Sequence, residues 1–247
     1  MDRNPTNPKD RIIVALDVDL AEQAERLVRN LLPYVGGFKI GLQLMTAMGA
    51  PQAVGLVRSL DGRVFLDGKF NDIPNTMAGA ARAASGLGVW MFDVHASSGL
   101  YAMRAAVEHK GASLVLAVTV LTSMDDLEVA RVFGCQAENA VKRLAKLAAD
   151  AKCDGIVCSP RDLEALKDDD RFAGLLKVTP GVRPTWAQNN DQQRVMTPGE
   201  AIEAGADYLV IGRPITKPSA HEGRIPSLAA RMIAEEIQAA LAKRGRR

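Results

Sequence analysis

Eight short runs rich in β-branched residues recur along the whole chain. Stretches of helix-forming character lie between them. The runs are "RIIVALDV" from Arg11, "GFKIG" from Gly37, "RVFLDGKF" from Arg63 and "WMFDVHAS" from Trp90, then "SLVLAVTVL" from Ser113, "GIVCS" from Gly155, "LLKVTPGV" from Leu175 and "YLVIGRPI" from Tyr208. Residues 21–32 carry apolar side chains at helical spacing, and residues 139–151, 198–204 and 225–242 are rich in Ala, Leu, Glu, Lys and Arg, which favour helix. Glycines in "GADY" and "GLGVW" suit helix C-terminal caps. Parallel strands need a crossover between them, so strands alternating with helices predict a parallel sheet. Eight such units in 247 residues, with no Pro/Gly/Ser-rich linker, predict an α/β fold: one (β/α)₈ barrel domain over residues 1–247, with a short polar N-terminal end and a basic C-terminal end. The alternative is an open doubly wound sheet, but no GxGxxG follows the first run.

Composition narrows the function. A chain that is 47% hydrophobic can bury a large core. Its formal charge of +2 gives no reason to expect nucleic acid or a membrane surface as partner. Lys243, Arg244, Arg246 and Arg247 read as a solvated helix end, where cations are favoured. Three cysteines, Cys135, Cys153 and Cys158, with no CxxC pair, give neither a disulfide framework nor a zinc site. The N-terminus lacks the apolar stretch of a signal peptide, and no apolar run approaches the ~20 residues that span a bilayer. A soluble, cytoplasmic protein is expected.

The charges at the strand ends carry the functional signal. Residues two apart on a strand share a face. In the third run Val64, Leu66, Gly68 and Phe70 form the set expected under the helices, which leaves Phe65, Asp67 and Lys69 facing the barrel axis. The first run places Ile13, Ala15 and Asp17 inward, and the second places Gly37, Lys39 and Gly41 inward. Asp17, Lys39, Asp67 and Lys69 therefore converge on the C-terminal mouth, where barrels of this kind carry their chemistry. Buried charges cost several kcal/mol per ion unless paired, and an alternating Lys39, Asp67, Lys69, Asp72 array would offset its own charges. Such an array holds a cationic lysine beside a fixed negative charge.

The other half of the mouth looks built for phosphate, which barrels often hold after strands seven and eight. Gly181 and Gly212 let backbone N–H groups approach an anion. Arg183 and Arg213 supply forked donors matching phosphate oxygens. The long polar stretch between them, including Asn189, Asn190, Gln192 and Gln193, reads as a lid. His95 reads as a structural hydrogen-bonder. Thr122 and Ser123, in "VLTS", are helix caps or hydroxyls for a ligand, or both. "IPNT" places Pro74, Asn75 and Thr76 at a helix start.

"LDGKFNDIPNT" resembles the signature of the orotidine 5′-phosphate decarboxylase family. The resemblance extends to "ALD" at Asp17, "FKIG" at Lys39, "VTVLTS" at Thr122, "TPGVR" at Arg183 and the block "DQQRVMTPGEAIEAGADYLVIGRPI". Gly68 and Asn71 depart from the pattern, in which many relatives have a larger apolar residue and a histidine. The resemblance implies conversion of orotidine 5′-monophosphate to uridine 5′-monophosphate and carbon dioxide, the last step of de novo pyrimidine synthesis, with no cofactor and no metal. It implies Lys69 as proton donor to C6, Asp67 beside the departing carboxylate, and Asp17 and Lys39 on the ribose. It likewise implies Thr122 near the base, Ser123 among the substrate contacts, and Arg183, Gln192, Gly212 and Arg213 on the phosphate. It implies that residues Asp72 to Thr76, Ile73 among them, reach the neighbouring subunit's site, and hence a homodimer. Two other classes stay open: a related metal-dependent phosphate-sugar barrel, and a non-catalytic nucleotide-binding barrel.

Overall fold

The computed structural model describes residues 5–167, 169–187, 196–218 and 225–244. Eight strands, β1 (Ile12–Ala15), β2 (Gly37–Ile40), β3 (Val64–Phe70), β4 (Met91–His95), β5 (Leu114–Val118), β6 (Gly155–Val157), β7 (Leu176–Pro180) and β8 (Tyr208–Ile211), pair in parallel in chain order. β8 also pairs with β1, which closes the barrel. The chain is a TIM barrel, as the alternation in the sequence predicts.

Every strand but β3 stops earlier than its apolar run. "YLVIGRPI" is strand only to Ile211; the chain turns at Gly212 and Arg213–Thr216 is helical. A Pro two residues past Gly212 cannot donate to a ladder, so the strand ends there. The helices between strands are α1 (Ala21–Leu31), α2 (Leu42–Met48), α3 (Ala50–Arg58), α4 (Pro74–Gly86), α5 (Leu100–Glu108), α6 (Asp126–Phe133), α7 (Ala137–Asp150), α8 (Asp162–Lys167), α9 (Pro198–Glu203), α10 (Arg213–Thr216) and α11 (Pro226–Arg244). In α1, Ala24, Val28 and Leu31 are buried at i, i+4 and i+7, one face of a 3.6-residue period. α9 starts on a capping box in which Thr197 and Glu200 satisfy each other's backbone N–H groups. Gly88 and Gly205, at φ 74° and 113°, follow α4 and α9 in conformations that favour glycine. Among the described residues no helix is long and apolar enough to cross a membrane.

Strand parity divides the core into two layers. Ile12, Val14, Leu16, Phe38, Ile40, Val64, Leu66, Phe92 and Val94 face the helices. Ile13, Ala15, Phe65, Met91, Leu116, Val178 and Tyr208 fill the barrel itself. Trp90 and Tyr208 meet edge to face at 5.2 Å, and the Arg63 guanidinium lies 4.3 Å over the Trp90 ring. This packing plugs the N-terminal end of the barrel. Charged groups at that end tie strands together: the Asp154 carboxylate accepts from Val115 N at 2.9 Å and pairs with Lys110, and Asp207 accepts from Lys177 N at 2.8 Å. An apolar floor leaves only the opposite mouth open for a ligand.

Gly155 sits in the inner layer, where an added Cβ would lie 2.5 Å from the Leu176 carbonyl and 2.9 Å from Leu116 Cδ2. Gly155→Ala is expected to lower unfolding free energy by about 1–3 kcal/mol through overpacking, measured by urea denaturation. Unchanged stability would mean the inner layer is looser than described.

Candidate active site

Parallel register sets the height of each charge. Lys39 is level with Ala15 on one side and Phe65 on the other. Asp17 and Asp67 lie two residues further on, so both carboxylates stand one step nearer the mouth and flank the lysine. Lys39 Nζ is 3.0 Å from Asp67 Oδ2 and 3.3 Å from Asp17 Oδ1. Lys69 Nζ contacts the other oxygen of Asp67. One carboxylate therefore bridges two ammonium groups. Side-chain exposures of 12% for Lys39, 11% for Asp67, 29% for Lys69 and 54% for Asp17 order the four from inside to rim.

Lys69 reaches the mouth by an irregularity rather than by simple alternation. Leu66 pairs with Phe92 and Phe70 with Val94, so four residue steps of β3 oppose two of β4. The extra length forms a bulge, and Lys69 adopts φ 48°. Bulges next to active sites commonly re-aim a side chain. Gly68 fits the same bulge: a Cβ there would lie 2.6 Å from the Phe70 ring, which packs at 5.8 Å from Phe92. Gly41 has an equivalent reason, since its Cβ would lie 2.6 Å from Lys39 Nζ.

Electrostatics follow from this packing. Burial is the largest influence on Asp67 and opposes ionisation, but Lys39, a hydrogen bond with Asp93 and Lys69 together hold its carboxyl well below the usual carboxylate range. Burial likewise pulls Lys39 down, and the adjacent Asp67 and Asp17 outweigh it, so its ammonium is held above the usual lysine value. Burial, then Lys69, lowers His95. The hydrogen bond at His95 is made by its carbonyl, which accepts from Ser98 Oγ at 2.7 Å.

Most residues expected from sequence share one cleft. Asp17, Lys39, Asp67, Lys69, Thr122, Arg183, Gly212 and Arg213 all line it. Arg183 is buried, and its N–H donates to the Met196 carbonyl at 2.9 Å, across a bridge pairing Val182 with Met196. Gly181 lines the cleft at φ 81°. Gln192 and the other polar residues of the expected lid, Asn189, Asn190 and Gln193, lie outside the described residues.

Four expected members stand elsewhere. Asp72, Ile73 and Thr76 are exposed and do not line this chain's cleft. Past Phe70 the backbone turns away from the mouth into α4, and Asp72 accepts from Ile73 N at 2.6 Å. The expected Lys39, Asp67, Lys69, Asp72 array therefore does not form within one chain. Ser123 is an exposed turn residue outside the cleft. The cap of α6 is Asp125, which accepts from Glu128 N, rather than Thr122 or Ser123.

One residue at the cluster was missed. Asp93 on β4 is buried, accepts from Lys69 N at 2.7 Å and hydrogen-bonds Asp67. Its signal was in "WMFDVHAS", where residue 93 shares the inward parity of Met91. Among the described residues no group of three His, Cys, Asp or Glu side chains is placed to share a metal ion. Cys153 and Cys158 are buried, and burial pushes the Cys153 thiol up to about 12.

With the geometry in place, the comparisons with known proteins are specific. Residues 10–224 match the Orotidine 5'-phosphate decarboxylase / HUMPS family. The chain belongs to that family. It is 49% identical over 241 residues to the Orotidine 5'-phosphate decarboxylase of Moorella thermoacetica, covering 93% of each chain. It is also 49% identical over 237 residues to the protein of that name from Halorhodospira halophila, covering 93% of this chain and 97% of the relative. The crystal structure of Orotidine 5'-phosphate decarboxylase from Lactobacillus acidophilus superposes with a TM-score of 0.76 at 31% identity, covering 92% of this chain and 98% of that one. The matched residues include all eight strands.

The depressed Asp67 makes a pH-dependent contribution to stability. Its folded-state pKa lies below the unfolded value, so the contribution is fully present above about pH 4 and is lost as pH falls, at up to about 1.4 kcal/mol per pH unit. The stability gap between wild type and Asp67→Asn is expected to narrow as pH is lowered from about 5 to about 3, read by denaturant melts. A gap independent of pH would contradict the depressed value.

Proposed function

We propose that this chain decarboxylates orotidine 5′-monophosphate to uridine 5′-monophosphate and carbon dioxide, the last step of de novo pyrimidine synthesis, as a cytoplasmic homodimer. The observation that carries the reading is the Lys69 ammonium pinned to Asp67 at the mouth of a barrel of this family.

Breaking the bond from C6 to the carboxylate leaves its electron pair on the ring carbon. Lys69 stabilises that developing charge and delivers a proton to C6. Carbon dioxide departs, and the neutral amine regains its proton from solvent. Electrons and protons balance without a metal ion or organic cofactor. Charge placed in advance stabilises a transition state without reorganising during the reaction. Asp67 serves twice: it aims the Lys69 ammonium, and its negative charge stands beside the carboxylate that leaves. Lys39 and Asp17 meet the ribose hydroxyls, with the ammonium donating and the carboxylate accepting.

The wider cleft supports the rest of the nucleotide. Arg183, Gly212 and Arg213 cluster at the ends of β7 and β8, where forked guanidinium donors and close backbone suit the 5′-phosphate. Gln192 completes that grip in the proposed reading. Thr122 lies on the base side, and Ser123 follows it in the turn. Remote phosphate binding energy then serves the reacting centre. Asp72, Ile73 and Thr76, exposed on one chain, complete the partner subunit's mouth; Ile73 is 67% exposed, which suits burial against a second copy.

Lys69→Ala is expected to retain the fold and lose turnover of orotidine monophosphate by at least about a thousandfold, since it removes both the acid and the charge. The assay is loss of substrate absorbance, with excess chelator present in a parallel series. Near-normal kcat in the folded variant would remove Lys69 from the reaction. Full dependence on a divalent metal would favour the phosphate-sugar alternative.

A further inference from the structure

The bulge in β3 poses a problem that the charged array alone does not solve. Four residue steps of β3 against two of β4 interrupt the ladder, and a lysine is held in the left-handed region at φ 48°. A non-glycine residue there is strained and persists only when its surroundings over-determine it. The extra residues also remove the regular ladder partner for the Lys69 N–H, and an unmet buried donor is costly.

Asp93 answers both demands. Where pairing resumes, Phe70 is level with Val94, which puts Asp93 beside Lys69 on the neighbouring strand. Asp93 is 1% exposed. Its Oδ1 accepts from Lys69 N at 2.7 Å, in place of the missing ladder bond, and its carboxyl hydrogen-bonds that of Asp67. We propose that Asp93 is a positioning residue for the decarboxylation: it clamps the β3 bulge through the Lys69 N–H while donating a hydrogen bond to Asp67, so that the Lys69 ammonium is held over the reacting carbon.

The proton assignment follows from chemistry. Two ionised carboxylates are acceptors only and cannot hydrogen-bond each other. Asp67 faces the ammonium groups of Lys39 and Lys69 and is the one held ionised. The shared proton therefore resides on Asp93, where burial and the neighbouring Asp67 both oppose charge. The titratable groups around Asp93 are Asp67 and Lys69 on β3 and His95 on its own strand, with Lys39 on β2 and Asp17 after β1 behind Asp67. β5, on its other side, presents apolar Leu116 and Val118. A neutral Asp93 adds a donor without adding a second negative charge against the substrate carboxylate.

The inference deepens the proposed decarboxylation and rests on it for the kinetic part of its test. Asp93→Ala removes both hydrogen bonds, and kcat is expected to fall about a hundredfold with KM changed far less, as misplacing a reacting group does. Asp93→Asn keeps an acceptor for Lys69 N and a donor for Asp67, and is expected to restore most of that loss. Thermal melts supply an arm independent of the reaction. Folded wild type retains the Asp93 proton that the unfolded chain releases above the ordinary carboxylate range, so the Tm of Asp93→Asn should gain on wild type as pH rises from about 5 to about 8. Asn as damaging as Ala would overturn the proposal, because a charge would then be required. A Tm difference flat with pH would overturn it through the proton assignment, whatever the substrate proves to be. Wild type inactive on orotidine monophosphate, with the pH-dependent Tm gain intact, would instead count against the activity alone.

Discussion

One carboxylate shared between two ammonium groups is the interaction on which the site depends. Asp67 is nearly enclosed, and left alone in that position it would take up a proton. Lys39, 3.0 Å away on β2, and Lys69, from the bulge of β3, prevent this. In return Asp67 offsets the cost of holding two cations close together. Removal of Asp67 would leave the two ammonium groups facing each other without their shared counter-charge in a partly dry cleft. The arrangement is stiff for the same reason, since strands rather than loops carry Lys39, Asp67 and Lys69.

The barrel supplies the conditions for that stiffness. Its N-terminal end is closed by Trp90, Tyr208 and the overlying Arg63, and the charges there serve as ties between neighbouring strands. At its C-terminal end the inward-facing positions at the ends of the first four strands carry ionisable rather than apolar side chains, Asp17, Lys39, Asp67, Lys69 and Asp93. Glycine matters at two of the contacts. Gly41 leaves room for the Lys39 ammonium, and Gly68 leaves room for the Phe70 ring that backs the bulge. A side chain at either place would compete for space with the machinery itself.

Much of this was legible in the sequence, for identifiable reasons. Period-two alternation placed Asp17, Lys39 and Asp67 on the inner face because β1, β2 and the first part of β3 are regular. The inward position of Lys69 is the same, but it arises differently: the bulge adds an even number of residues, so parity survives an irregularity that parity cannot reveal. Asp93 obeys the same rule, two residues past the inward Met91 on β4. The place of Asp72 was not legible. Where a backbone leaves a sheet depends on how α4 packs, and nothing in the local pattern of "KFNDIPNT" encodes it. Helices α2 and α3 were equally hidden, because residues 42–58 alternate apolar and small residues with few charges and break at Gly49, at φ 79°.

The central claim is that positive charge waits, already placed, where the ring carbon becomes electron-rich. Calorimetric titration with uridine 5′-monophosphate and with the corresponding nucleotide bearing an oxyanion at C6 tests it directly. A preorganised ammonium predicts that the anionic ring binds at least about a hundredfold more tightly than the neutral one. Equal affinity for the two would contradict it.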